Sequence, residues 1–115
     1  AQDAIGEDVA LVVGGRSSGA RVAARTSART GACGYLALAF PLVSPRGVTR
    51  VAELDAVAVP ALVLQGDRDP FGMRDPAERR IVHVLVGADH SLRSRVGEIH
   101  AVTTAWLGPL LRPPV

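Results

Sequence analysis

The run from Val12 to Arg21, VVGGRSSGAR, decides how this sequence folds. Two serines sit in a glycine frame, directly after apolar residues and directly before a helix-like segment. A strand that ends in small, turn-forming residues and feeds a helix is the opening unit of a parallel sheet. Taken alone, the stretch fits a turn presenting a nucleophile, a nucleotide-binding loop, or a tight bend between a strand and a helix.

Working outward, four short apolar runs stand out: Val9 to Val13 (VALVV), Tyr35 to Phe40 (YLALAF), Ala61 to Leu64 (ALVL) and Ile81 to Val86 (IVHVLV). None alternates apolar with polar residues, so each reads as a parallel strand covered on both faces. Between them lie helical patterns. Ser18 to Arg29 carries Val22, Ala23 and small residues on one side, and Arg21, Arg25 and Arg29 at i, i+4, i+8 on the other. That stripe reads as a solvated face, with Gly31 as the helix stop. Arg50 to Val57 predicts a short helix ahead of Pro60. Asp75 to Arg80 (DPAERR) predicts another, with Asp75 as N-cap and Pro76 in the first turn. A last helix is expected from about Val96 to Leu107, ended by Pro109, Pro113 and Pro114. The order β-α-β-α-β-α-β-α predicts an α/β fold: about four parallel strands in a three-layer α/β/α sandwich with right-handed crossovers.

Composition narrows the function classes. The chain has 115 residues, 48% of them hydrophobic, which suits one domain with a real core. All 13 basic residues are arginine, the net charge is +2 and aromatics make up 3%. Scattered arginines with few stacking rings argue against nucleic-acid binding. Cys33 has no partner for an intramolecular disulfide and reads as a buried, inert thiol. No apolar run is long enough to span a bilayer, and no secretory leader pattern opens the chain, so a cytoplasmic protein without membrane attachment is expected.

In such folds the reacting groups stand beyond the carboxyl ends of the strands. Those positions hold Gly14 to Gly19, Phe40 to Leu42, Gly66 to Gly72 and Gly87 to Ser91. A serine, an aspartate and a histidine therefore meet at one edge, in the chain order Ser, Asp, His of α/β hydrolases. Gly15-Arg16-Ser17-Ser18-Gly19 is G-x-S-x-G, the sharp turn that lifts a serine above the sheet, with glycines at both ends to relieve Cβ clashes. Ser17 is the expected nucleophile, His90 its base and Asp69 the residue that orients His90. The backbone N–H of Ser18 is an expected oxyanion donor. Asp67 is the nearest rival to Asp69 for the acid and otherwise caps the turn; Asp89 is read as a loop cap beside His90, and His83 and His100 as structural. A phosphate-binding loop would need a lysine, and this chain has none. A dinucleotide turn would need glycine where Arg21 stands and an acid where Phe40, Pro41 and Leu42 stand. Three scattered histidines show no ligand spacing, so neither a metal nor an organic cofactor is expected.

GGRSSGARVA, the FPL segment with Arg50 beyond it, PALVLQGDRDPFG and VLVGADHSL together resemble a family of small α/β hydrolases near the dienelactone hydrolases. That family includes bacterial predicted hydrolases and the hydrolase-like domain of a subunit of the nuclear NSL acetyltransferase complex. The resemblance covers about Val9 to Leu107 and rests most on GDRDPFG and ADHSL. It implies Ser17, Asp69 and His90 as a catalytic triad but no particular substrate; a small-molecule ester or related acyl compound is what a Ser-His-Asp hydrolase is expected to take. It also implies strands before the serine turn that the sequence does not show. Residues 1–115 therefore read as the C-terminal half of one such domain, lacking the loop that supplies a second oxyanion donor. Weak turnover and self-association through an exposed first strand are the matching expectations. Two other classes stay open: a non-catalytic α/β-hydrolase-like interaction domain and, far behind, a nucleotide-binding oxidoreductase fragment.

Overall fold

The structure is a computed structural model that describes residues 10–111. Four strands, β1 (Val12–Arg16), β2 (Gly34–Leu38), β3 (Ala61–Gly66) and β4 (Arg80–Leu85), form one parallel sheet in the order β1-β2-β3-β4. Helices α1 (Ser18–Thr30), α2 (Val51–Asp55) and α3 (Val96–Leu111) cover it. Strand period fixes which face each residue serves. Tyr35, Ala37, Ala61 and Val63 meet Ala20, Ala23, Ala24 and Leu54 of α1 and α2. Leu36, Leu38, Leu62 and Leu64 meet Ile99, Val102 and Trp106 of α3. The neighbours on each strand thus feed opposite cores, which is why the apolar runs do not alternate. All six residues of β3 are buried. This is the three-layer α/β arrangement that the strand and helix pattern predicts.

Several boundaries differ from the sequence reading. β1 starts later and runs through both glycines to Arg16, in register Gly14↔Leu36, Gly15↔Ala37 and Arg16↔Leu38. Without a side chain, Gly14 lets β1 lie close against β2: a Cβ there would stand 2.5 Å from the Leu36 carbonyl oxygen. Val9 lies outside the described residues, as do Pro113 and Pro114. Asp75 to Arg80 is not a helix. Ala77 and Arg80 exchange backbone hydrogen bonds of 3.1 and 3.0 Å in a tight turn, and Arg80 donates to the Asp75 carbonyl at 2.8 Å and to Asp55 at 2.9 Å. Too few residues separate Asp75 from β4 for a helix to propagate. Pro109 does not end α3, which runs on to Leu111. Trp106 and Leu110 pack against Gly34, and that contact outweighs the backbone bond the proline forfeits. Cys33 is half-buried rather than buried. Among the described residues no helix is long and apolar enough to cross a membrane.

The arginine stripe of α1 is only partly a solvated face. Arg21 holds both carboxylate oxygens of Glu53 at 2.7 and 3.0 Å, and Arg25 reaches the same group at 3.4 Å. The fork ties α1 to α2 beside the sheet. The Arg21 hydrogen bonds hold the Glu53 carboxyl below its ordinary range, against the opposing pull of burial. A depressed carboxyl stabilises the fold fully above its unfolded pKa, and that contribution disappears as the pH falls through the lower folded value. Glu53→Gln should therefore lower the unfolding free energy by about 1 kcal/mol at neutral pH, since the pair is partly exposed. The difference from wild type should shrink below about pH 4. Urea unfolding of both proteins across that range measures it.

Candidate active site

β1 delivers the chain to Ser17 with no intervening loop. Ser17 adopts φ 53° and ψ −120°, a strained conformation for a residue with a side chain. Two backbone bonds hold it there: its N–H donates to the Leu38 carbonyl at 2.9 Å, and the Ala20 N–H donates to its carbonyl at 3.0 Å. A Cβ on Gly15 would lie 2.4 Å from the Gly19 carbonyl carbon, so the turn closes only with glycine at 15. Gly19 differs from the sequence reading. A Cβ there would point into open space, so what matters at 19 is its backbone, which Gly15 touches.

The turn leaves the Ser17 hydroxyl uncommitted to the helix start, and Ser17 Oγ lies 2.8 Å from His90 Nε2. His90 Nδ1 lies 2.8 Å from Asp69 Oδ2. An ionised carboxylate only accepts, which assigns the ring proton to Nδ1 and leaves Nε2 to accept from the serine. The Asp69 side chain is fully buried, and its other oxygen accepts the Phe71 N–H at 2.8 Å. The Phe71 ring meets the imidazole edge-to-face, with centroids 4.8 Å apart. Ser17 at the β1–α1 turn, and Asp69 and His90 from two loops, thus come together at one sheet edge. Such a chain can pass a proton from hydroxyl to imidazole while a buried charge steadies the cation. Ser18 opens α1, whose leading N–H groups have no partner within the helix and favour negative charge nearby.

The other polar residues take structural places. Asp67 is exposed and accepts the Gly87 N–H at 2.8 Å. Asp89 accepts from the Ser91 hydroxyl at 2.6 Å and its N–H at 2.9 Å, and these bonds hold its carboxyl below the usual range. His83 bonds Glu98 at 2.6 Å, tying β4 to α3, and His100 is exposed. Among the described residues, no three His, Cys, Asp or Glu side chains cluster as metal ligands would.

Three supporting features escaped the sequence reading. Arg16, at the first variable position of G-x-S-x-G, donates to the Ser91 carbonyl at 2.6 Å and anchors the loop bearing His90. Gln65 is buried; its amide accepts the Phe40 N–H at 3.0 Å and donates to the Phe40 and Gly72 carbonyls at 2.8 Å. It joins the loop after β2 to the loop bearing Asp69. A lone glutamine closing the apolar run ALVLQ was the available signal; nothing marked Arg16. At Gly66 an added Cβ would stand 2.1 Å from the Ala88 carbonyl oxygen, so the loops of Asp69 and His90 touch through bare backbone.

A profile of the alpha/beta hydrolase domain family matches residues 1–106. Among solved structures the chain is similar to an alpha-beta serine hydrolase homologue from Coxiella burnetii, with a TM-score of 0.65 and 19% identity over 84% of this chain. The match takes in 49% of that protein, so the chain spans about half its length. At that identity the likeness speaks for the fold alone. No curated protein matches in sequence.

Replacing Gln65 by Leu would leave the buried N–H and carbonyl of Phe40 and the part-buried Gly72 carbonyl without that partner. The expected cost is about 2–4 kcal/mol, from unsatisfied backbone groups at roughly 1–3 kcal/mol each with partial relaxation. Chemical denaturation measures it. The imidazole proton signals of His90 should shift as the Asp69 loop loosens.

Proposed function

The chain belongs to the alpha/beta hydrolase domain family, and on that premise we propose that it is a serine hydrolase acting on carboxylic esters through an acyl-enzyme. The observation that carries this reading is the unbroken path Ser17 Oγ–His90 Nε2, His90 Nδ1–Asp69 Oδ2, with 2.8 Å at each step. Strain at Ser17 supports it too. A plain bend would not hold a serine at φ 53° and spare its hydroxyl for a histidine 73 residues away. A carboxylic ester is the substrate that acyl transfer through a serine hydroxyl suits.

In this mechanism Ser17 Oγ attacks the ester carbonyl as His90 Nε2 takes its proton. The imidazolium then protonates the departing alkoxide, leaving an acyl-serine. Water, deprotonated by His90, attacks the acyl carbon and releases the acid, and the proton returns to Ser17. Asp69 keeps the imidazole in the tautomer with Nε2 free and steadies its cation. The Ser18 N–H faces the tetrahedral oxyanion, with the α1 terminus adding to the field. In hydrolases of this fold a second donor comes from a loop after an earlier strand. Among the described residues no strand precedes Val12. The chain is proposed to represent the half of the domain that carries nucleophile, acid and base.

A fluorophosphonate probe should label wild-type protein at Ser17, and Ser17→Ala should abolish labelling. Asp69→Asn should slow labelling and ester turnover by about 10³–10⁴, as loss of the correct histidine tautomer does in serine proteases. A folded protein that stays unlabelled would refute the hydrolase reading in favour of a non-catalytic interaction domain.

A further inference from the structure

A cavity of about 520 Å³ opens between the segment Leu42 to Arg50 and the helices α1 and α2. Its charge is unbalanced. Arg21, Arg46 and Arg50 line it together with one carboxylate, Glu53. Glu53 is already engaged by Arg21 at 2.7 Å and by Arg25 at 3.4 Å. Arg50 stands near enough to add to the depression of the Glu53 carboxyl. Among the described residues, neither Arg46 nor Arg50 has a side-chain hydrogen bond or ion pair. Like charges gathered around one spent carboxylate repel, and a bound anion relieves that repulsion. The rest of the wall mixes apolar Pro45, Val48 and Ala52 with the hydroxyl residues Ser44 and Thr49.

The wall is built rather than loose. Val43 and Thr49 form an antiparallel bridge, Ser44 N–H donates to the Val48 carbonyl at 2.9 Å, and Arg50 N–H donates to the Leu42 carbonyl at 2.7 Å. Ser44 Oγ accepts the Val48 N–H at 3.0 Å. The same segment touches the candidate site: Val43 N–H donates to the Phe71 carbonyl at 3.0 Å, and the Phe71 ring lies on His90. From the other side, Arg21 lies about one helical turn beyond Ser17, a rise of roughly 6 Å.

We propose that this cavity is an anion-recognition subsite, taking the carboxylate or phosphate end of an organic ester whose reacting carbonyl lies at Ser17. Arg46 and Arg50 bind the charge, and Val48 and Ala52 bind the apolar body beside it. This deepens, and rests on, the serine-hydrolase reading.

Two measurements on the intact chain test it. Inorganic phosphate, titrated calorimetrically, should bind saturably and more weakly as salt is raised. The Arg46→Ala/Arg50→Ala protein should bind it at least tenfold more weakly. Arg21 stays in place because it ties α1 to α2. No saturable binding, or equal binding by the double variant, overturns the anion site. The second measurement compares p-nitrophenyl butyrate with the p-nitrophenyl monoester of succinate. The anionic ester should be favoured about tenfold in kcat/KM, and the double variant should lose that preference. Equal turnover of the two esters overturns the assignment to substrate. Phosphate binding by a protein that fluorophosphonate does not label supports the anion site and refutes the hydrolase reading, so the two failures are told apart.

Discussion

Two contacts between bare backbones govern the carboxyl edge of this sheet. At one, Gly15 lies against Gly19 where β1 turns into α1; at the other, Gly66 lies against Ala88 where the third and fourth strands end. A single methyl group at either place would meet backbone atoms well inside van der Waals contact. The first contact turns the chain sharply enough to hold Ser17 at positive φ. The second brings the segments that carry Asp69 and His90 side by side. Side-chain hydrogen bonds then finish what the backbone has placed, and they could not form if either approach were relaxed.

The two cores have a supporting part. One face of the sheet is filled by small residues of α1 under Tyr35, whose buried hydroxyl donates to the Ala20 carbonyl. Burial pushes that phenol well above its usual range, so it stays a donor under all physiological conditions. The bond lands in the first turn of α1, immediately after the serine. The other face is filled by larger aliphatic residues and Trp106 of α3. Since β3 belongs to both cores, Gln65 and Gly66 at its end are held by packing on two sides.

Much of this was legible in the sequence because the signals were local. Apolar runs marked the four strands, Gly31 marked the end of α1, and G-x-S-x-G with Asp69 and His90 in order marked the three residues that meet. Long-range effects were less legible. DPAERR has the residues of a helix start, yet Arg80 is drawn into a turn by Asp75 and Asp55. Pro109 looks like a stop, yet Trp106 and Leu110 hold the helix on the sheet. Arg16 and Gln65 act through partners far off in the chain, and no spacing rule reports such partners. The arginine stripe of α1 looked solvated because Glu53, its partner, stands on a different helix.

The serine and histidine are drawn from nearly opposite ends of the described chain, 73 residues apart. Local helices can form before the chain ends meet, but this pairing closes a loop that contains α1, β2, α2, β3 and β4. Its loop entropy is recovered only when the intervening strands are already in register. A probe of the serine–histidine contact is therefore also a gauge of global cooperativity. It should appear late in refolding and be lost together with the sheet and its helices as the whole domain unfolds.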